Sequence, residues 1–265
     1  MTAKNTESDL FFDRSGSIAT LTLNRPHVRN AISYGMYERL PHILSRVEAD
    51  DEVKVLVLRG AGNEAFAAGA DIKEFRTLRA DGAGARIYNA AVASAEHAIS
   101  RLSKPTIAMV HGFCIGGGCG LALACDFRIA DTKSAFGITP ARLGLVYSLE
   151  STKRLIDVVG PAEASFILFS GRHVDADRAL RTGLANELHE PEDLAAATYT
   201  LASEISQRAP MSLRRTKEII HLIEMGQASD DAHTIELRDS SFDSLDYSEG
   251  VAAFLEKRPA KFVGS

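Results

Sequence analysis

The apolar positions of the chain change period along its length, from strand-like runs in the first half to helical spacing in the last third. Leu10 to Arg14 and Ile18 to Leu23, joined by Ser15-Gly16-Ser17, predict a β-hairpin that Asn24-Arg25-Pro26 ends. After Ser33, a residue suited to capping, Met36, Leu40, Ile43, Leu44 and Val47 recur at helical spacing. They predict a helix to about Ala49 with Pro41 as an irregularity inside it. Val53 to Leu58 reads as a strand, Arg79 to Gly84 as a mobile polar connection, and Ile87 to Leu102 as a helix. Thr106-Ile107-Ala108-Met109-Val110 is an apolar run of the kind a strand buried on both faces needs. Cys119 to Ala124 carries small apolar side chains suited to a closely packed helix, and Asp126 to Ala130 reads as another strand.

Beyond Asp131 the stretch Ser134 to Tyr147 is irregular and punctuated by glycine, which in a compact domain points to a functional loop. Helical spacing resumes at Ser151 to Val159, Ala162 to Phe169 and Ala176 to Thr182. It continues through Asp193 to Arg208, Ser212 to Met225, Asp231 to Leu245 and Ser248 to Leu255. Strands alternating with helices predict an α/β domain with largely parallel pairing. The division expected is a core over residues 1–205 and a C-terminal helical region over 206–265 that covers the site or joins subunits.

Composition narrows the function classes. The 265 residues are 45% hydrophobic and 25% charged, with a net charge of −5, which offers no electrostatic reason to expect nucleic acid. No apolar run is long enough to span a membrane, and Met1 to Asp9 lacks the apolar segment of a signal peptide, so a cytoplasmic location is expected. Cys114, Cys119 and Cys125 fit neither a disulfide framework nor a zinc site and read as small core residues.

Candidate chemistry gathers at two turns. Gly112 and Gly116-Gly117-Gly118 follow one strand and open a helix, which brings unpaired backbone N–H groups and the helix dipole to one point. Such a point binds anions or developing oxyanions. No Lys-Ser or Lys-Thr follows at P-loop spacing, and Leu121 stands where a dinucleotide fingerprint needs its last glycine. Gly60-x-Gly62-x-x-Ala65, with Asp81 further on, matches that fingerprint loosely but lacks the amphipathic helix directly after the turn. In the second turn, Ala67-Ala68-Gly69-Ala70-Asp71-Ile72, small residues let amides approach a ligand and Asp71 can cap a helix starting at Ile72.

These pieces together resemble the crotonase, or enoyl-CoA hydratase/isomerase, superfamily. The matching segments are Leu23-Asn24-Arg25-Pro26 with Asn30-Ala31, Ala65 to Ile72, Gly112 with Gly116 to Cys119, and Cys125-Asp126. Phe136-Gly137, Leu143-Gly144 and the ending Glu249-Gly250 to Arg258 match as well. The resemblance implies an α/β spiral of repeated ββα units, assembly as a homotrimer or dimer of trimers, and an acyl-CoA thioester as substrate. It implies no cofactor beyond the coenzyme A moiety of that substrate. By position, the amides that hold the thioester oxygen are those of Ala70 and Gly117. Ala68, Ala70, Asp71 and Ile72 match the loop that holds adenine and pantetheine, with Lys73 and Arg29 as phosphate partners.

The chain departs from the superfamily's hydratases at both catalytic glutamates: Gly120 and Pro140 occupy those positions, and neither can transfer a proton. Enoyl-CoA hydratase remains the first activity the resemblance implies. Isomerisation or decarboxylation of a malonyl-type thioester are the alternatives, and acyl-CoA binding without catalysis is a further one. The segment Thr139 to Tyr147 resembles the methylmalonyl-CoA decarboxylase branch, which makes Tyr147 a candidate to face the acyl group. Glu150 lies near the place of an isomerase acid, although a first-turn helix glutamate favoured by the dipole is the preferred reading of that position. His111 reads as a structural imidazole, and Glu64, Glu74 and Arg142 border the proposed site.

Overall fold

In the computed structural model, which describes residues 9–264, the N-terminal hairpin is present as expected. Residues 1–8, which carry most of the segment read for a signal peptide, lie outside the described part. The strands are β1 (Leu10–Ser15), β2 (Ile18–Leu23), β3 (Val55–Gly60), β4 (Ala65–Ala67) and β5 (Thr106–Val110). They continue with β6 (Phe113–Ile115), β7 (Phe127–Asp131), β8 (Ala135–Gly137), β9 (Val174–Asp175) and β10 (Glu187–His189). The helices are α1 (Tyr34–Ala49), α2 (Phe75–Leu78), α3 (Gly82–Ser100), α4 (Gly117–Leu123) and α5 (Leu149–Ser170). After them come α6 (Ala176–Thr182), α7 (Leu194–Ser206), α8 (Pro210–Glu224), α9 (Ala232–Asp239) and α10 (Leu245–Glu256).

Two sheets share the work. One runs β1-β2-β3-β5-β7-β10 and, apart from the hairpin, is parallel; the other runs β4-β6-β8-β9. Strands β3, β5 and β7 of the first sheet are each followed by a short strand of the second and then by helix, which after β4 is the short α2 and then α3. The sequence β3-β4-α3, β5-β6-α4, β7-β8-α5 is therefore three ββα units in succession, the spiral the resemblance implied. Alternate residues of the first sheet feed two cores. Leu56, Leu58, Ala108 and Val110 pack with α1, α3 and α4, while Val55, Val57, Ile107 and Met109 pack with Leu194 and Ala202 of α7. Burial on both faces explains why β3 and β5 read as continuous apolar runs.

Several local expectations need correction. The connection Arg79 to Gly84 is not a loop throughout: Asp81 accepts from the amides of Ala83 at 2.9 Å and Gly84 at 2.8 Å, and α3 starts at Gly82. Two glycines in the first turn mask that start, because they are poor helix formers whatever the cap contributes. The Asp81 carboxylate is thereby engaged, and a Cβ on Gly60 would lie 2.3 Å from the Ala65 carbonyl. Both halves of the loose dinucleotide match thus have structural roles. The two helices expected on either side of residue 160 are present within α5, which breaks at Gly160, where φ of 76° and ψ of 163° are not helical and Pro161 follows. The helix expected to run from Asp231 to Leu245 ends at Asp239. Strands β4, β6 and β8 lie in segments read as turns, since three residues carry no measurable period.

The C-terminal helices are tied to the core through Asp126. Its Oδ2 accepts from the Thr106 amide at 2.7 Å, the Thr106 hydroxyl at 2.9 Å and Lys217 Nζ of α8 at 2.7 Å. Among the described residues, no helix is long and apolar enough to cross a membrane.

Candidate active site

The two turns singled out in the sequence meet in space, and the Asn24 to Ala31 segment is what holds the first of them. Asn30 is fully buried with φ of 55°. Its Nδ2 donates to the Ala61 carbonyl at 2.9 Å and the Ala65 carbonyl at 2.7 Å, and its Oδ1 accepts from the Arg25 amide at 3.0 Å. The Arg25 guanidinium donates to the Ala31 carbonyl at 2.7 Å and to Asp71 Oδ2 at 3.0 Å. The Ile32 amide donates to Gly69 O, and the Asp71 amide to Ile32 O, each at 2.8 Å. In this parallel bridge the groups of Gly69 and Asp71 face Ile32, so the Ala70 N–H faces the opposite way.

On that opposite side lies the glycine triplet. Gly116 turns the chain with φ of 54°, and the first helical bond of α4 runs from the Gly120 amide to Gly116 O at 3.0 Å. The amides of Gly117, Gly118 and Cys119 therefore have no acceptor within the helix. A Cβ on Gly118 would lie 2.5 Å from the Ala67 carbonyl, so only glycine lets α4 pack this closely on β4. A Cβ on Gly117 would lie 3.6 Å from the Ala70 nitrogen and 2.1 Å from the Tyr37 hydroxyl. Two backbone donors thus border one small space, an arrangement able to receive the oxygen of a thioester carbonyl as it gains charge.

This space opens into a cavity of about 240 Å³ lined by Ala68, Ala70, Ile72, Gly117, Tyr147 and Glu150 among others. Three tyrosine hydroxyls, those of Tyr37, Tyr88 and Tyr147, are buried with no hydrogen-bond partner in the protein. Burial pushes the pKa of each upward, well above the usual tyrosine range at Tyr37 and Tyr147, so they stand as neutral donors.

Glu96 of α3, like Tyr37 and Tyr88, is a residue of the cavity that sequence reasoning missed. Only 4% exposed, it accepts at Oε2 from the Ser151 hydroxyl at 2.7 Å and from Arg154 Nη1 at 3.0 Å. A Cβ built on Gly120 would lie 2.2 Å from Glu96 Oε1 and 3.2 Å from the Tyr147 hydroxyl. Burial raises the Glu96 pKa, and the Ser151 bond and the Arg154 charge oppose that rise. The available signal was a single acidic residue of α3 in line with apolar positions, where Ala95 and Ile99 are also buried. That pattern alone does not distinguish a helix-surface glutamate from a buried one.

The structure separates the remaining candidates. Ala68, Ala70, Ile72, Gly117, Tyr147 and Glu150 all line the cavity. Tyr147 is half-buried as a residue with its hydroxyl enclosed, whereas Glu150 is exposed in the first turn of α5, which Ser148 caps. Asp71 spends its carboxylate on Arg25 and the Lys73 amide, capping the turn at Ile72 as expected. Lys73 is exposed. Arg29 lies over the Phe113 ring at 5.2 Å and pairs with Glu64 at 3.5 Å. Glu74 accepts from the Tyr34 amide at 2.7 Å, which fixes it to the start of α1. His111 is buried, and burial lowers its pKa, in keeping with a neutral structural imidazole. The three cysteines are free and buried, and burial pushes Cys125 up to about 12.

Comparison with known proteins identifies the family. The profile of the enoyl-CoA hydratase/isomerase family matches residues 13–265. The short-chain-enoyl-CoA hydratase of Clostridium acetobutylicum is 32% identical, over 95% of this chain and 96% of the relative. The crotonyl-CoA hydratase of Syntrophomonas wolfei is 32% identical over 96% and 98%. A crystal structure of an enoyl-CoA hydratase/isomerase family protein from Hyphomonas neptunium superposes with a TM-score of 0.94 at 38% identity, covering 97% of this chain and 98% of that one. On its sequence, its ββα spiral and these full-length relatives, the chain belongs to the enoyl-CoA hydratase/isomerase family.

Proposed function

We propose that this protein adds water across the double bond of a 2-enoyl-CoA, with the thioester oxygen held between the Ala70 and Gly117 amides. The observation that carries the reading is the apposition of those two donors at the cavity, in a chain related over its full length to proteins named as hydratases. As water attacks C3, the π electrons move toward the thioester and leave an enolate oxygen. Donors aimed at that oxygen are worth about 3–4 kcal/mol each. Ala68, Ile72 and the Asp71 backbone support the adenine and pantetheine portions in this reading, with Lys73 and Arg29 toward the phosphates. It calls for no group beyond the coenzyme A part of the substrate.

A malonyl-type substrate fits less well, because a carboxylate placed against Tyr147 also meets Glu96. Double-bond isomerisation is the second reading, since a single buried carboxyl at the cavity, that of Glu96, suits transfer of one proton between carbons. The exposed apolar side chains of the C-terminal helices, Phe254 at 84% and Leu255 at 74%, support assembly into a homotrimer or dimer of trimers. A cytoplasmic location belongs to the same proposal.

Mass spectrometry of the protein incubated with crotonyl-CoA tests the reading, and gain of one water is the expected result. Loss of carbon dioxide from malonyl-type thioesters with no hydration assigns the decarboxylase alternative. A mass-silent conversion separated by chromatography assigns isomerisation, and tight binding with no conversion assigns a non-catalytic role.

A further inference from the structure

We propose that Glu96 is the acid–base residue of this site, a carboxyl delivered from α3 into the space left by the missing side chain at position 120, and that it alone moves the proton hydration requires. The proposal rests on the acyl-CoA reading above. Residue 120 lies three positions after Gly117, hence on the same face of α4 and one step further along the cavity. A group there meets the acyl carbons next to a carbonyl held at Gly117. Glu96 Oε1 occupies that place from the opposite wall, 2.2 Å from where a Cβ of residue 120 would lie. Ser151 and Arg154 both bind Oε2, which fixes the carboxyl and leaves Oε1 turned toward Gly120 and the cavity.

One carboxyl is sufficient because hydration moves one proton. Glu96, ionised, takes a proton from water as the water oxygen forms its bond to C3. The C2–C3 π pair shifts to C1–C2, and the carbonyl π pair becomes the third lone pair on the thioester oxygen between Ala70 and Gly117. The enolate then collapses, its C1–C2 π pair forming a bond from C2 to the proton that Glu96 returns. The net change is addition of one water, and Glu96 ends ionised. The groups facing it are Tyr37 from α1, Gly120 from α4, Tyr147 before α5, and Glu150, Ser151 and Arg154 of α5. Of these, Ser151 and Arg154 favour the charged carboxylate and Glu150 opposes it.

Two assays test the assignment together: hydration of crotonyl-CoA, and exchange of the C2 hydrogens of butyryl-CoA with deuterated solvent. The second needs enolate formation but no hydration. Glu96→Gln is expected to lower both rates about 10²- to 10⁴-fold, with butyryl-CoA affinity changed less than about threefold. Ser151→Ala keeps the carboxyl and removes a bond that favours its charge. It is expected to move the ascending limb of kcat/KM against pH to higher pH. If the unaltered protein exchanges C2 hydrogens without hydrating and Glu96→Gln abolishes exchange, the hydratase reading falls and Glu96 keeps its role. If either reaction survives Glu96→Gln within about threefold, or the limb persists there and does not move in Ser151→Ala, Glu96 is not the acid–base group. An unaltered protein that does neither overturns both proposals.

Discussion

Glu96 and Gly120 occupy one space between them: the carboxylate of the first lies where the second would carry its side chain, 2.2 Å from the position of a Cβ. Position 120 therefore has to be small as long as Glu96 turns inward. A sequence that has lost an acid from α4 has not lost the acid from the cavity, because α3 supplies one from the facing wall.

Gly120→Ala is expected to destabilise the fold by about 1–3 kcal/mol, the usual range for overpacking a filled interior. The methyl has to displace a carboxylate that Ser151 and Arg154 hold. In a Glu96→Ala background the same substitution meets no carboxylate and costs much less. Urea unfolding of the four proteins in the cycle measures the coupling, and additive effects would mean that the two residues do not share the space.

Stability should depend on pH through Glu96 in a defined direction. Burial raises its folded-state pKa above the unfolded value of about 4.3, so the folded protein holds this proton more tightly than the unfolded chain. Its contribution is fully present below the unfolded pKa and is lost as pH rises through the folded pKa. Glu96→Gln, neutral at every pH, should remove that component. The stability of Glu96→Gln relative to the unaltered protein should thus grow from acid toward neutral pH and level off above the folded pKa, as followed by thermal unfolding across the range.

At Gly117 stability and turnover should separate. A methyl there meets the Tyr37 hydroxyl at 2.1 Å and lies 3.6 Å from the Ala70 nitrogen, inside the space proposed for the thioester oxygen. Gly117→Ala is expected to unfold at lower urea concentration and to lose about 10²- to 10³-fold in kcat, comparable with loss of one oxyanion donor. Adding Tyr37→Phe removes a hydroxyl that has no partner in the protein and should restore much of the stability without restoring activity.

Asn30→Ala is expected to cost about 2–4 kcal/mol. It leaves the Ala61 and Ala65 carbonyls and the Arg25 amide without their partner and puts alanine at φ of 55°. Because this segment positions the Ala70 turn, the folded fraction should also turn over crotonyl-CoA more slowly. Denaturant unfolding and turnover normalised to folded protein check the two effects separately.

Some of this was legible in local pattern. The run Thr106 to Val110 appears unchanged as β5, and Ser33 caps α1 by accepting from the Met36 amide at 3.3 Å. The two small-residue turns stood out because close backbone approach and positive φ restrict residue type on the spot. Asp126 and Asn30 were visible only as parts of a resemblance, since their partners lie far along the chain: Lys217 for one, Ala61 and Ala65 for the other.

The chain by itself determined its strand and helix periods, the glycine turns at Ala70 and Gly117, and the absence of a proton-transferring side chain at positions 120 and 140. Tertiary structure alone decided that Glu96, 24 residues before Gly120 in sequence, fills the vacated place. Helical spacing states which residues share a face of α3, but the depth of that face depends on how closely α4 can approach. Glycine at position 120 leaves the room, and Ser151 and Arg154 from a third helix fix the carboxylate within it. A burial set jointly by three helices has no signature in any one of them.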